Sequence, residues 1–418
     1  MVEYKNGLLR INVTNSFWDV AWNCSFFLFM LSCICYGNFD ETNNFFYYFV
    51  FFLFTGVSSI GLLLKGNIFK KLFIPLNTIW YALFYALCVS SCLWAASFYS
   101  ATQPLSRILQ ILVVTTFVFY YIDSPERLET YLNTVIAASL YLIIYIFVKT
   151  PPAEWFSGFI GSVTGYNTND VGLAISICLI ISFYKAFVRG KYLMYIVCAV
   201  CFFTAALTSS RKALLMCVLA IIMIVAFNYR AKNYILRIFI IIGVAVLSIV
   251  LIYEVPQLYQ TIGIRMDSMI NYFMNDKSSD NSLALRELYI SLAKGFFLEK
   301  PIIGHGINNF GYLSNLYGNI FTYAHNNYLE IAADLGVVGL VVYYWFYLYI
   351  FVKLIKQTLN GHKTALLFLP LIILLLIFEY GMVNYYKMQV HLVIASAFAA
   401  SFLNDGAEKT RGKHSINN

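Results

Sequence analysis

The chain has 418 residues, of which 61% are hydrophobic and only 11% charged, with a formal net charge of +8. Such a composition excludes a soluble globular surface and makes lipid the solvent for most of the chain. The basic residues sit in short turns between apolar runs and form no separate stripe, so they carry topology information and do not mark a nucleic-acid surface.

A hydrocarbon core of about 30 Å takes roughly 20 apolar residues to cross as a helix, the fold that satisfies its own backbone groups where water is absent. Runs of that kind predict twelve spans, near residues 18–37, 45–64, 73–95, 107–122, 129–148, 169–187, 192–208, 213–229, 234–253, 327–351, 364–383 and 388–403. The first follows Lys5 and Arg10 and reads as an uncleaved span. All nine cysteines lie in or beside apolar runs and read as small core residues, so no disulfide framework and no metal site is expected.

Lys65, Lys70 and Lys71, between the second and third spans, put that turn in the cytoplasm. Counting spans onward, Lys185, Arg189 and Lys191, then Arg230, Lys232 and Arg237, then Lys353, Lys356 and Lys363, and lastly Lys409, Arg411 and Lys413 all fall on the same side. With Lys5, Arg10 and Arg127 these are most of the 28 basic residues. Both termini are then cytoplasmic. The expected organisation is nine spans with short loops over 1–253, a large loop on the far side over 254–326, three spans over 327–403, and a cytoplasmic tail over 404–418.

Two segments on the far side are long enough to hold structure. One runs from Lys149 to Asn169 and carries Pro151, Pro152 and Trp155. In the second, Ala284 to Phe297 has apolar residues at helical spacing (Leu285, Leu288, Ile290, Leu292, Phe296), which predicts an amphipathic helix lying over the membrane face. Pro301, Gly304 and Gly306 end it in a tight turn, and Asp276 to Ser282 reads as a mobile stretch.

The same topology puts three titratable or cationic residues on that face. Arg211, in Thr208-Ser209-Ser210-Arg211-Lys212, is either an interfacial anchor that snorkels to water or a planar fork for a phosphate or diphosphate. Arg286, on the amphipathic helix, is either a solvated charge or a ligand contact near Pro301-Ile302-Ile303-Gly304-His305-Gly306, whose glycines let backbone approach a ligand. His325 precedes Asn326-Asn327-Tyr328-Leu329-Glu330, where it either anchors a helix start or accepts a proton from a hydroxyl near neutral pH. Gly336 and Gly339 would let that span pack closely on another helix. Tyr323, Asn326 and His305 are secondary candidates for substrate contact, as is Glu379, which otherwise pairs with an arginine or sits in a packed polar contact. Asn169, in Gly165-Tyr166-Asn167-Thr168-Asn169-Asp170, is a further candidate, although Asn169 or Asp170 could equally serve as a helix cap.

His325-Asn326 followed by Gly336-x-x-Gly339 resembles the signature of the O-antigen ligase and polysaccharide polymerase superfamily of the bacterial cell envelope. Ser210-Arg211 between two mid-chain spans, Arg286 leading to Pro-x-x-Gly-x-Gly, and one large loop before the last spans fit the same family. The resemblance covers about Gly165 to Gly339, with Leu340 a small departure where Val or Thr often follows the second glycine. It implies a membrane-embedded glycosyltransferase of GT-C type in the inner membrane, with its site facing the periplasm. It further implies metal-independent transfer without a cofactor, and a glycan donor on undecaprenyl pyrophosphate. Arg211 and Arg286 would then hold the diphosphate while His325 activates or orients the acceptor hydroxyl. Membrane lipid, the glycan acceptor and a chain-length regulator are the partners so implied.

The segment Gly165-x-Asn167-x-Asn169 and the run His325 to Glu330 resemble repeat-unit polymerases more than ligases, which transfer the finished chain to lipid A-core. A flippase for lipid-linked glycans would have a similar number of spans. It would also need a polar cavity reachable from both leaflets, whereas the distinctive polar residues here lie on one side.

Overall fold

The computed structural model describes residues 2–5, 8–11, 15–35, 45–64, 74–155, 160–165, 167–208, 210–228, 234–256, 259, 263, 264, 267 and 281–403. Lys65, Lys70 and Lys71, Tyr166, Ser209, Arg230 and Lys232, residues 276–280 of the expected mobile stretch, and the tail with Lys409, Arg411 and Lys413 lie outside these residues.

A short antiparallel hairpin, β1 (Val2–Lys5) with β2 (Leu8–Ile11), opens the chain. Helices follow: α1 (Asn15–Ile34), α2 (Phe45–Leu64), α3 (Leu76–Ser91), the short α4 (Phe98–Thr102), α5 (Leu105–Tyr121), α6 (Pro125–Lys149), α7 (Thr168–Phe187), α8 (Met194–Leu207), α9 (Arg211–Phe227) and α10 (Tyr234–Glu254). After these come α11 (Asn281–Glu299), α12 (Phe310–Gly318), α13 (Asn327–Leu359), α14 (Ala365–Phe378) and α15 (Met388–Ala400). Each expected span has a helix beneath it. Among the described residues six stretches are long and apolar enough to cross a membrane: Phe17–Ile34, Phe45–Leu63, Phe98–Tyr121, Pro125–Lys149, Thr168–Phe187 and Asn327–Leu359. Four shorter helices, α3, α8, α14 and α15, are also apolar. The protein is a multi-pass membrane protein whose spans are all helical.

At the centre stands α7, buried without a break from Val171 to Ala186 and packed on α6, α8, α9 and α14. In lipid, helices associate through close packing and polar contacts rather than through the hydrophobic effect. The crossing of α7 and α9 follows that rule. A Cβ on Gly172 would stand 2.7 Å from the Ala213 Cβ and 3.2 Å from the Ser210 Cβ, and Ser176 Oγ donates to the Ala213 carbonyl at 3.0 Å. The close contact sets the first residues of both helices side by side. Large apolar side chains such as Phe45, Phe52 and Leu63 of α2 and Phe239 of α10 point outward, as lipid-facing positions should.

The basic residues expected in the cytoplasm collect acidic partners from neighbouring segments: Arg127 Nε lies 2.9 Å from Asp19 and Lys185 Nζ 2.9 Å from Glu129. At the other end of the spans, α11, α12 and the first turns of α13 form a small lobe. Tyr289, Ala293 and Phe296 of α11 pack on Phe310, Leu313, Ala324 and Ala333. The expected helix is therefore present, but its covered face differs from the expected stripe, since Leu285 and Leu288 are exposed. Apolar residues occur on two faces of α11, and the lobe covers the one spaced as 289, 293 and 296.

The glycines of the Pro301–Gly306 turn and of α13 also work differently from the expectation. Gly336 has φ 65 and ψ −161, a break inside α13 and not a helix-packing notch. Amides released by the break are taken up by the turn: Val337 N donates to the Pro301 carbonyl at 2.9 Å and Val338 N to Ile302 at 3.2 Å. In return Gly306 N donates to the Asp334 carbonyl at 2.7 Å. Every freed backbone group in an apolar setting needs such a partner. The close approach allowed by Gly304 and Gly336 is thus between two stretches of this chain's own backbone. The lobe is tied down as well, because Ala96 N donates to the His305 carbonyl at 2.9 Å and Ser97 N to Asn309 Oδ1 at 2.6 Å.

Candidate functional site

Four segments meet where the lobe covers the spans: the starts of α7 and α9, the stretch from Tyr323 to Asn327, and the loop Glu379–Lys387 between α14 and α15. Asn167, not Asn169 or Asp170, caps α7, its Oδ1 accepting from Asn169 N at 2.9 Å. This leaves the Asn169 side chain to accept from Ser210 Oγ at 2.9 Å, while the Asp170 carboxylate pairs with Lys387 Nζ. Ser210 also caps α9, accepting from Ala213 N at 3.3 Å. Arg211 is the first residue of that helix, and the next, Lys212, donates from Nζ to the Gly381 carbonyl.

His325 has φ 53, in the left-handed region that a non-glycine residue enters only at a cost. Asn326 then caps α13 by accepting from Leu329 N at 3.1 Å. The imidazole lies near-parallel to the Tyr289 ring at 5.6 Å and tilted against the Tyr323 ring at 4.0 Å. Its surroundings oppose a positive charge. Burial first, then the charges of Arg286, Lys212 and Lys387, lower it from its ordinary 6.5 to about 4. Beside it, burial and the charges of Asp170 and Glu330 push the Tyr323 hydroxyl up to about 12. At neutral pH the site therefore presents a neutral imidazole and a neutral phenol beside Arg286, while burial first, then the charges of Arg286 and Lys387, lower Lys212 to about 7. By the same linkage, the stability gained by keeping His325 neutral is complete above 6.5 and is lost as pH falls through about 4.

The structure thus brings His325, Tyr323 and Arg286 into one electrostatic neighbourhood with Asp170, Lys212 and Lys387. Arg211 adjoins Lys212 in the chain at the same helix start. Other candidate residues occupy framework positions. The buried Glu379 carboxylate accepts from Asn327 Nδ2 at 3.1 Å, Tyr344 at 2.6 Å and Tyr347 at 2.9 Å. His305 sits 3.0 Å from the Phe296 carbonyl through Nε2 and edge-on to the Phe296 ring, and burial holds it below its usual range. Asn326 is buried at the cap.

Sequence reasoning passed over Asn327, Lys212 and Lys387. Asn327 Oδ1 accepts from Asn384 N at 2.8 Å and Tyr385 N at 3.2 Å, and its backbone N–H donates to the Glu379 carbonyl at 2.8 Å. One side chain thereby fixes the Glu379–Lys387 loop to the residue two beyond the imidazole. A signal existed in the doubled Asn326-Asn327, because buried amides at a helix start require partners.

Such a bundle of apolar spans defines a multi-pass membrane protein, with a cationic cluster around an imidazole at one end of its helices. Residues 196–344, from α8 into α13, match the family model described as O-Antigen ligase. The match spans 149 of the 418 residues, so this segment of the chain is similar to the O-antigen ligase family. Arg211, Arg286, His325 and Gly336 lie inside the matched segment, whereas Asp170, Glu379 and Lys387 lie outside it. No curated protein and no solved structure matches the chain.

Proposed function

We propose that the protein is a surface-polysaccharide polymerase of GT-C type, joining oligosaccharide repeats carried on undecaprenyl pyrophosphate at the periplasmic face of the inner membrane. The observation that carries this reading is the His325 imidazole seated against the Tyr289 and Tyr323 rings, in the electrostatic neighbourhood of Arg286, Lys212 and Lys387. Its chemistry balances. The acceptor hydroxyl oxygen attacks the anomeric carbon and its proton passes to the imidazole; the anomeric C–O bond breaks, and its electron pair leaves on the diphosphate. Fixed cations in a water-poor cleft stabilise the charge that gathers on the leaving group. Arg211 and Arg286 take the diphosphate, His325 takes the proton, and no divalent cation or cofactor enters the step. The polymerase reading rests on the resemblance of the Gly165–Asp170 segment to polymerases, and its Asn169 and Asp170 contact Ser210 and Lys387 beside the proposed site. Transport finds no support in the family match.

The test uses purified full-length protein with a lipid-linked repeat. Longer glycan and released undecaprenyl pyrophosphate are expected. Product appearing only when lipid A-core is added would make the protein a ligase, and an intact glycan bond would remove the enzyme reading.

The pH profile adds a second check, because kcat/KM reports the free enzyme and kcat the complex. The acid limb of kcat/KM is expected near 4, where free His325 gains its proton and can no longer accept one. A bound diphosphate offsets the surrounding cations, so the limb of kcat should lie at higher pH. Coincident limbs at the ordinary imidazole value of 6.5 would detach His325 from proton transfer.

A further inference from the structure

Two lysines reach this site, Lys212 beside Arg211 at the start of α9 and Lys387 from the loop before α15. Lys387 is followed directly by α15, yet its Nζ is ion-paired with Asp170 at the start of α7. The pair is only partly buried, with 19% of the lysine and 21% of the aspartate side chain exposed. Lys212 is held by the Gly381 carbonyl. Gly381 leaves room for it, since a Cβ there would stand 2.8 Å from the lysine Cε and Nζ. Both ammonium groups join Arg286 in acting on His325. Cations so gathered repel one another until an anion arrives, and an ammonium satisfied by a carboxylate or a carbonyl is already posed for a phosphate oxygen.

We propose that Lys212 and Lys387 are diphosphate-binding residues, held before substrate arrives by the Gly381 carbonyl and the Asp170 carboxylate, whose places the phosphate oxygens then take. The proposal rests on the diphosphate-linked donor put forward above. It makes the Glu379–Lys387 loop a wall of the site. It also makes Asp170 a competitor of the ligand: when diphosphate binds, Lys387 exchanges one oxygen partner for another, and no covalent bond changes.

That competition supplies the experiment. Inorganic pyrophosphate is titrated calorimetrically into the purified full chain in detergent. Lys387→Met and Lys212→Met are each expected to weaken binding by about tenfold to a hundredfold, the loss of one charge-assisted contact. Lys387→Arg should keep most of the affinity, and Gly381→Ala, which displaces the Lys212 head without removing charge, should fall between. Asp170→Asn should bind pyrophosphate more tightly than the wild type. An ion pair with a purely architectural role predicts the opposite, with Asp170→Asn and Lys387→Met weakening binding alike, and that outcome would overturn the proposal. Unchanged affinity in both methionine variants would do the same. Thermal melting identifies any variant that fails to fold, in which case the arginine and Gly381→Ala variants decide.

The two readings fail separately. Pyrophosphate binding that is lost in the lysine variants, with no glycan transferred by the wild type, keeps the anion site and removes the polymerase. Glycan transfer with unchanged KM in those variants keeps the polymerase and removes the lysines.

Discussion

Alanine at His325 is expected to lower the initial rate of polymer formation by about 10²- to 10⁴-fold, the usual worth of a positioned acid or base. Alanine at Arg286 or Arg211 should cost about 10²- to 10³-fold, comparable to losing one preorganised donor to a developing anion. In each case the protein should reach the membrane at the normal level, because none of the three anchors a packed core. His325→Ala keeps a non-glycine residue at the left-handed position and loses the ring contacts with Tyr289 and Tyr323, so it should melt slightly lower than the wild type. Rates are to be measured at saturating donor, with quantified membrane protein. Full activity in any one variant would return that residue to an anchoring role and leave the others to carry the chemistry.

The second large effect concerns architecture. Gly336→Ala is expected to destabilise the protein by about 3 kcal/mol or more, because its φ 65 and ψ −161 belong to a region essentially reserved for glycine and its Cβ would meet the Ile302 carbonyl. The damage should spread beyond the helix. Forcing α13 straight would release Val337 and Val338 from the Pro301–Gly306 turn and so loosen the lobe that carries Arg286 and Tyr289. Melting temperature and transfer rate should fall together. Gly295→Ala in α11 is the matched control: nothing lies within 4 Å of its would-be Cβ, so it should gain about 0.5 to 1 kcal/mol from helix propensity. Equal melting of Gly336→Ala and wild type would show that the break is not needed.

Much of the fold could be read from the sequence because lipid imposes a simple rule: apolar runs of sufficient length, punctuated by lysine and arginine, mark the helices at 15–34, 45–64, 125–149, 168–187 and 327–359. What escaped depends on which partner a helix meets. Periodicity identified α11, but only packing against Phe310, Leu313 and Ala333 decides that Tyr289, Ala293 and Phe296 are covered and that Leu285 is not. Gly336-x-x-Gly339 was legible as a motif, although the same letters suit a helix notch and a backbone break. In the site, Arg286 and His325 could be singled out because the topology placed both on one face beside recognisable local patterns. Lys387 and Asp170 could not, since a lone lysine in a loop and an aspartate at a helix start have ordinary roles until distant chain segments are brought together.

The lobe turns Leu298, Ile302, Leu316, Tyr317 and Phe321 outward, each of them well exposed. A rim of that kind belongs among headgroups and upper acyl chains rather than in bulk water. Under the function proposed above, a prenyl-anchored donor would then meet the lobe within the leaflet, by gliding in two dimensions without leaving the bilayer. Turnover should accordingly follow the mole fraction of donor in the surrounding lipid, so that diluting it with inert phospholipid slows the reaction even when the total amount in the tube is unchanged.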